Sequence, residues 1–347
     1  MSSGSNSSRV RVRAPARLHF ALVDMNGESG RLDGSVGVAL DSPALDVVVG
    51  GSAGPRGAAR QVPPDIGDEL ESAQGRLGLG RVPIDVDVAA DIPRHCGLGS
   101  GTQWRLAWVS ALNRLWNLGL GPSECAACSG RGGTSGIGIH AFRHGGLLID
   151  GGHRRRDKSV FTPSAFAEGI SPPPLLARVP FPDDWRIALY VPSSLRGLSG
   201  SEERRFMAEN TPLPKAECAA VSHIVLMGLL PALVERDFAA FTQAVSELQT
   251  VGWKRRHWLR PQLAPVLAVR RAFARADIAG WGLSSTGPTV FGFVDASRHD
   301  PSVLEARLLR NIAREPDVPA GRFLLTKANN TGAEIDLLEQ ADTKVSP

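Results

Sequence analysis

At 347 residues, 42% hydrophobic and 21% charged, the chain has the make-up of a globular protein long enough for two packed domains. The excess of basic over acidic residues is mild (39 against 35), and no dense basic block interleaves with aromatics, which argues against a nucleic-acid reader and suits an anionic small molecule. No unbroken apolar run reaches the roughly 18 residues of a bilayer span, and residues 1–8 are Ser/Gly-rich without an apolar stretch, so a disordered leader on a cytoplasmic protein with no membrane segment is expected.

The alternation Arg9-Val10-Arg11-Val12-Arg13 predicts a first strand running into 14–20, and 36–40 and 44–49 read as further strands. A Gly/Pro-rich connection at 51–64 precedes a polar helix near 68–77, and 82–89 alternates again. That segment runs into Pro93-Arg94-His95-Cys96-Gly97-Leu98-Gly99-Ser100-Gly101-Thr102-Gln103. Trp104, Trp108, Ala111, Leu112 and Leu115 then recur at helical spacing, so the Gly/Ser loop opens a buried helix. Such a loop offers bare N–H groups at the positive end of a helix, a site for phosphate or diphosphate.

A short Pro-led helix is expected at 122–129, a second Gly-rich loop at 130–138, a helix to Phe142 and a strand at 146–150. Residues 151–180 are a long, basic, Pro-rich stretch and the candidate domain boundary. Beyond it come a strand at 186–191, helices near 200–209, 216–229, 231–251 and 262–278, strands flanking 284–288, a helix at 302–313 and a last strand at 322–326. Helices and strands mix without regular βαβ repetition, which predicts an α+β fold. The expected domains are 9–180 and 181–328, with a polar tail over 329–347.

Three Gly-rich segments, 97–103, 131–138 and 282–288, are either separate tight turns or the walls of one anionic pocket. Arg17, Arg131, Lys254 and Arg255 sit in or beside them and are candidate phosphate cations. Arg154, Arg155, Arg156 and Lys158 read equally as solvated surface or as a gate. Asp24, Asp33 and Asp150 stand beside Gly turns and are either turn residues or ligands for Mg²⁺. His140 and His144 lack the Glu that a zinc-protease helix carries at the next position. Cys125 and Cys128 have no second close pair to complete a zinc site and read as small buried helix residues.

The Pro-x-x-x-Gly-Leu-Gly-Ser loop at 93–100 and the Gly282–Pro288 turn resemble the GHMP superfamily, which includes small-molecule kinases. The resemblance implies a two-domain fold: an N-terminal domain like ribosomal protein S5 domain 2 and a ferredoxin-like C-terminal domain. Many of these kinases carry Ser-Gly-x-Asp in the middle loop with the Asp as base. Here it reads Ser135-Gly136-Ile137-Gly138, with no carboxylate up to Phe142.

A narrower resemblance covers most of the chain. It rests on Ala14-Pro15-Ala16-Arg17-Leu18-His19-Phe20, Asp33-Gly34, the 97–103 loop, Gly130-Arg131-Gly132-Gly133-Thr134-Ser135-Gly136, Asp150-Gly151-Gly152-His153, Pro172-Pro173-Pro174-Leu175-Leu176 and Ser284-Ser285-Thr286-Gly287-Pro288. Together these resemble β-ribofuranosylaminobenzene 5′-phosphate synthases and the similar C-nucleoside synthases of the formycin and pyrazofurin type.

The resemblance implies a C-ribosyltransferase. It would join phosphoribosyl pyrophosphate (PRPP) to p-aminobenzoate or an aminopyrazole carboxylate, releasing CO₂ and pyrophosphate, with Mg²⁺ as cofactor and a homodimer expected. An ATP-dependent kinase and a non-catalytic ligand binder are the competing readings. His19, Asp33 and Arg131 are then the catalytic candidates. Arg17, Gly97, Leu98, Gly99, Ser100, Gly101, Thr102 and Gln103, with Gly132, Gly133, Thr134, Ser135 and Gly136, are expected to hold the donor's phosphates. Arg105, Lys254, Ser285 and Thr286 are expected at the acceptor, and Asp33 and Asp150 at the metal. The chain departs from the family pattern at Phe20-Ala21-Leu22 and at Trp104-Arg105, and an extra Arg near the pocket would suit an acceptor with a second carboxylate.

Overall fold

The computed structural model describes residues 8–51, 62–80, 82–131, 133–166, 169–297 and 300–338. Two long strands, Arg9–Asp24 (β1) and Arg31–Gly51 (β2), form a hairpin paired antiparallel along its length. The two strands expected at 36–40 and 44–49 are one. Proline has no ladder donor, and the pairing steps from Pro15↔Ala44 to Ala16↔Leu40, leaving residues 41–43, which include Pro43, as a bulge within β2.

Helix Gly67–Arg76 (α1) packs on the buried helix Ser100–Leu115 (α2), and strand Ile84–Ala90 (β3) pairs with the far end of β2. Pro122–Cys128 (α3) and Ile137–His144 (α4) follow, then Leu147–Asp150 (β4), His153–Arg154 (β5) and Leu175–Val179 (β6). The first sheet has its seventh strand, Glu334–Leu338 (labelled β11 below), on the other side of β1, and its spine runs from that strand through β1, β2 and β4 to β6.

A second antiparallel sheet begins at Trp185–Pro192 (β7). Helices Gly200–Asn210 (α5), Lys215–His223 (α6), Leu230–Val234 (α7), Phe238–Leu248 (α8), Gly252–Trp258 (α9) and Val266–Arg275 (α10) come next, then Ala279–Leu283 (β8), Val290–Asp295 (β9), Pro301–Ala313 (α11), Gly321–Thr326 (β10) and Glu334–Leu338 (β11). The order β10-β7-β9-β8, with helices between β7 and β8 and α11 between β9 and β10, is the split βαβ arrangement of a ferredoxin-like unit. Phe20 of β1 stacks on Phe291 of β9 at 5.1 Å, and Phe181 packs against Phe241 and Phe293, so both sheets share one core.

Three expectations need correction. Residues 329–347 are not simply a tail, because β11 pairs with β1 from Arg9↔Leu338 to Arg13↔Glu334. Every β11 side chain is exposed, so the strand has no apolar alternation to read. Second, α6, a π-helical turn at Ile224–Leu229 and α7 form a 20-residue helix apolar and long enough to cross a bilayer. Lys215, Glu217 and His223 break its apolar run in the sequence, and Val221, Val225, Leu229 and Leu233 on one face are in the core. The turn widens just ahead of Pro231, which cannot donate to it. Third, helix α9 was not expected. It is short and basic, begins at Gly252 with φ +54°, and has no apolar period.

Candidate active site

The three Gly-rich segments converge on one cavity of about 290 Å³, near the lower bound for small-molecule sites. Gly97 has φ +89°, and a Cβ there would overlap the Ser284 carbonyl, so a side chain would separate the first loop from the third. The Ser284 hydroxyl donates to the Gly97 carbonyl at 2.6 Å, and the His19 N–H donates to Ser284 Oγ at 3.2 Å. The Ser285 N–H donates to the His19 carbonyl at 3.0 Å. Gln103 Nε2 donates to the Gly138 carbonyl at 2.9 Å, tying α2 to the second loop.

Gly99 is the N-cap of α2, with φ +87° and no side-chain cap bond, so first-turn N–H groups remain for a ligand. Arg17 crosses directly over Gly99, where a Cβ would come within 3.2 Å of its Cγ, and donates to the Gly97 carbonyl.

Arg17, Arg131 and Lys254 line this cavity, and the described residues place no carboxylate within ion-pair distance of any of them. Burial pushes the Arg17 and Arg131 guanidinium pKa values down to about 10, leaving both charged at neutral pH. Burial and the nearby Arg17 charge hold the Lys254 ammonium well below its ordinary range, while its Nζ donates to the Leu283 and Ser285 carbonyls.

The acids at the rim are already engaged. Asp65 accepts from Arg94 Nε at 2.9 Å and contacts His95 at 2.8 Å, and Glu69 accepts from Arg105 Nε at 2.8 Å. Glu203 on α5 shares the cavity with Arg17 and Arg131. Burial pushes it up to about 7 against the downward pull of those two charges.

Of the expected site residues, Arg17, His19, Gly97, Gly99, Ser100, Gly101, Thr102, Arg131, Thr134, Ser135, Lys254, Ser285 and Thr286 line the cavity. Leu98 is in the core, Gln103 is fully buried behind the wall, and Gly133 and Gly136 are off the lining. Gly132 lies outside the described residues. Arg105, expected at the acceptor, does not line the cavity: it is nearly buried and held by Glu69. Arg255 is exposed, and Asp24 caps the turn to Gly27.

Asp33 and Asp150, expected at the metal, and Asp33, expected in catalysis, do not line the cavity. Asp33 is buried off the cavity, with Oδ2 bound to Lys158 Nζ at 2.8 Å and His153 Nδ1 at 2.9 Å. Lys158 is thus neither surface nor gate; it also donates to the Thr162 carbonyl at 3.1 Å, pinning the 151–166 stretch beside Thr134. Asp150 accepts from the Gly136 and Gly152 N–H groups at 2.9 and 3.0 Å and from Ser35, and supports the second loop from beneath.

Among the described residues no group of three His, Cys, Asp or Glu side chains could hold a metal ion. A Mg²⁺ ion carried on the donor's phosphates needs no such group, and no step below passes through one. His140 bonds the Pro173 carbonyl at 3.0 Å and is held to about 4 by burial, in keeping with a structural residue.

Residues 68–146 match the GHMP kinases N terminal domain family. The chain is 36% identical over 330 residues to the β-ribofuranosylphenol 5′-phosphate synthase of Archaeoglobus fulgidus, covering 94% of this chain and 100% of that one. It is also 36% identical to the Methanothermobacter thermautotrophicus enzyme of that name, over 93% of this chain and 97% of the other. Homoserine kinase from Cytophaga hutchinsonii shares the fold, with a TM-score of 0.62 at 16% identity over 97% of this chain and 99% of that one.

Proposed function

Since the chain belongs to the β-ribofuranosylphenol 5′-phosphate synthase family, we propose that it joins C1 of PRPP to an aromatic carboxylate with loss of CO₂ and pyrophosphate. The observation that carries the reading is the convergence of Arg17, Arg131 and Lys254, none paired with a carboxylate, on the cavity where three Gly-rich loops meet. Desolvated cations and free helix N–H groups suit a polyanion, and a donor with a 5′-phosphate and a diphosphate meets both.

As the C1–O bond breaks, the electron pair leaves on pyrophosphate, and Arg17, Arg131 and the α2 N–H groups stabilise that charge. The ring carbon bearing the carboxylate attacks C1, forming the C–C bond. The bond to the carboxylate then breaks, its electron pair restores the aromatic ring, and CO₂ leaves. No strong base is needed, which agrees with Gly138 at the position where many kinases of the superfamily carry Asp. The work left to the chain is positioning and charge stabilisation.

The deciding experiment incubates the protein with PRPP and, in turn, p-aminobenzoate, p-hydroxybenzoate or an aminopyrazole carboxylate. Product mass and released pyrophosphate are then read. A C-riboside 5′-phosphate supports the reading. ATP consumption with an alcohol substrate, or binding with no turnover, overturns it.

Glu203 makes donor binding pH-dependent. Its raised pKa of about 7 means that the ionised carboxylate forms in the free cavity as pH rises through neutrality. A bound polyanion disfavours that form, so binding takes up a proton. Donor affinity should fall by up to about tenfold per pH unit above 7 relative to Glu203→Gln. Calorimetry across pH 6 to about 8.5 checks this, and parallel profiles for the two proteins would contradict it.

A further inference from the structure

Beyond the phosphate cradle the cavity wall becomes apolar. Leu22 at the end of β1, Met207 on α5 and Trp253 on α9 line it, and all three belong to one buried cluster. Two histidines border this wall, His19 (6% exposed) and His257 (1% exposed). His19 Nδ1 and both ring nitrogens of His257 are buried with no hydrogen-bond partner among the described residues. A buried polar atom left unpaired is unfavourable, so these nitrogens point to a ligand that pairs with them.

The chemistry of the imidazoles narrows the ligand. Burial, reinforced by the Lys254 charge, holds both histidines well below 6.5, so both are neutral. A neutral imidazole offers one donor and one acceptor. That pair suits an amino or hydroxyl group, which both donates and accepts, whereas an ionised phosphate only accepts. The His257 ring is also fixed: it stacks on Phe206 at 5.2 Å and meets Trp253 edge-on at 5.2 Å.

We propose that this wall is the acceptor subsite, where the ring of an aromatic carboxylate lies against Leu22, Met207 and Trp253 and its amino or hydroxyl substituent bonds His19 and His257. The assignment rests on the ribosyl-transfer reading. It makes the two histidines specificity-determining residues, since they recognise the substituent and the apolar wall recognises the ring. As the ring carbon attacks C1, positive charge spreads to that substituent. Its N–H or O–H becomes a stronger donor to the waiting imidazole, and no proton has to leave.

The test is His257→Phe, which keeps a ring stacked on Phe206 and removes both nitrogens. At saturating PRPP, the KM for the acceptor the wild type uses, among p-aminobenzoate, p-hydroxybenzoate and an aminopyrazole carboxylate, should rise about tenfold or more. The KM for PRPP should stay within about twofold, because the cradle is untouched. Inhibition by benzoate, which lacks the substituent, should be unchanged in His257→Phe and weakened in Trp253→Leu. An unchanged acceptor KM overturns the subsite, as does a joint rise of both KM values with a lower melting temperature. Failure of the wild type to make a C-riboside from any of the three acceptors strikes the ribosyl-transfer reading itself, and this proposal with it.

Discussion

Replacement of Arg131 by alanine is expected to weaken PRPP binding by about 10² to 10⁴, since charge-assisted hydrogen bonds contribute roughly 1.5–3 kcal/mol each and a guanidinium makes two to a phosphate. Arg131 reaches from the second Gly-rich loop toward the first, where a Cβ on Gly101 would sit 3.1 Å from its Nη2. Its Nε is buried without a partner among the described residues. The folded chain therefore keeps a desolvated cation that lacks a close counter-charge, which is unfavourable until an anion arrives. Two consequences separate this from a structural role. Arg131→Ala should leave the ligand-free melting temperature unchanged or raise it, while donor affinity collapses. Arg131→Lys should recover only part of the affinity, because an ammonium lacks the planar fork. Calorimetry with PRPP and thermal melts of the three proteins check both, and wild-type affinity in Arg131→Ala would remove the residue from the donor site.

The phosphate loops were legible in the sequence because their chemistry is local. Gly97 and Gly99 must adopt positive φ, and Ser100 opens a helix directly behind them, so residue type and neighbours already specify an anion site. The convergence of segments 97–103 and 282–288 was open in the sequence, and the structure closes it through Ser284 and Gly97.

What misled was carboxylate chemistry, which depends on partners far along the chain. Asp33 looks like any acid beside a Gly turn, yet His153 and Lys158, more than a hundred residues on, bind its Oδ2 in a buried cluster away from the cavity. Arg105 looked free until α1 placed Glu69 against it. Trp253 and His257 left no trace because α9 is a seven-residue basic helix, and its buried face is defined by β1, α5 and α6 packing on it.

Gly138→Asp, which restores the acid that many kinases of this superfamily carry, should abolish activity and confer none on alcohol substrates. Gly138 is the second residue of α4 and lines the cavity opposite Thr102. A Cβ there would lie 2.9 Å from Thr102 Cγ2, so even alanine must turn the threonine away from the α2 N-terminus. Overpacking of this kind costs about 1–3 kcal/mol. Aspartate adds a negative charge beside the donor's phosphates, and unit charges about 4 Å apart at an effective dielectric near 20 repel by about 4 kcal/mol, or roughly 10³ in affinity. Gly138→Ala isolates the steric part, and the difference between the two variants is the charge. Both are read by PRPP calorimetry and by pyrophosphate release. If Gly138→Asp binds PRPP as tightly as Gly138→Ala, the donor's phosphates do not lie between α2 and α4. A large gap between the two variants explains the glycine physically: a site that must hold a leaving diphosphate has no room, steric or electrostatic, for the kinase's base.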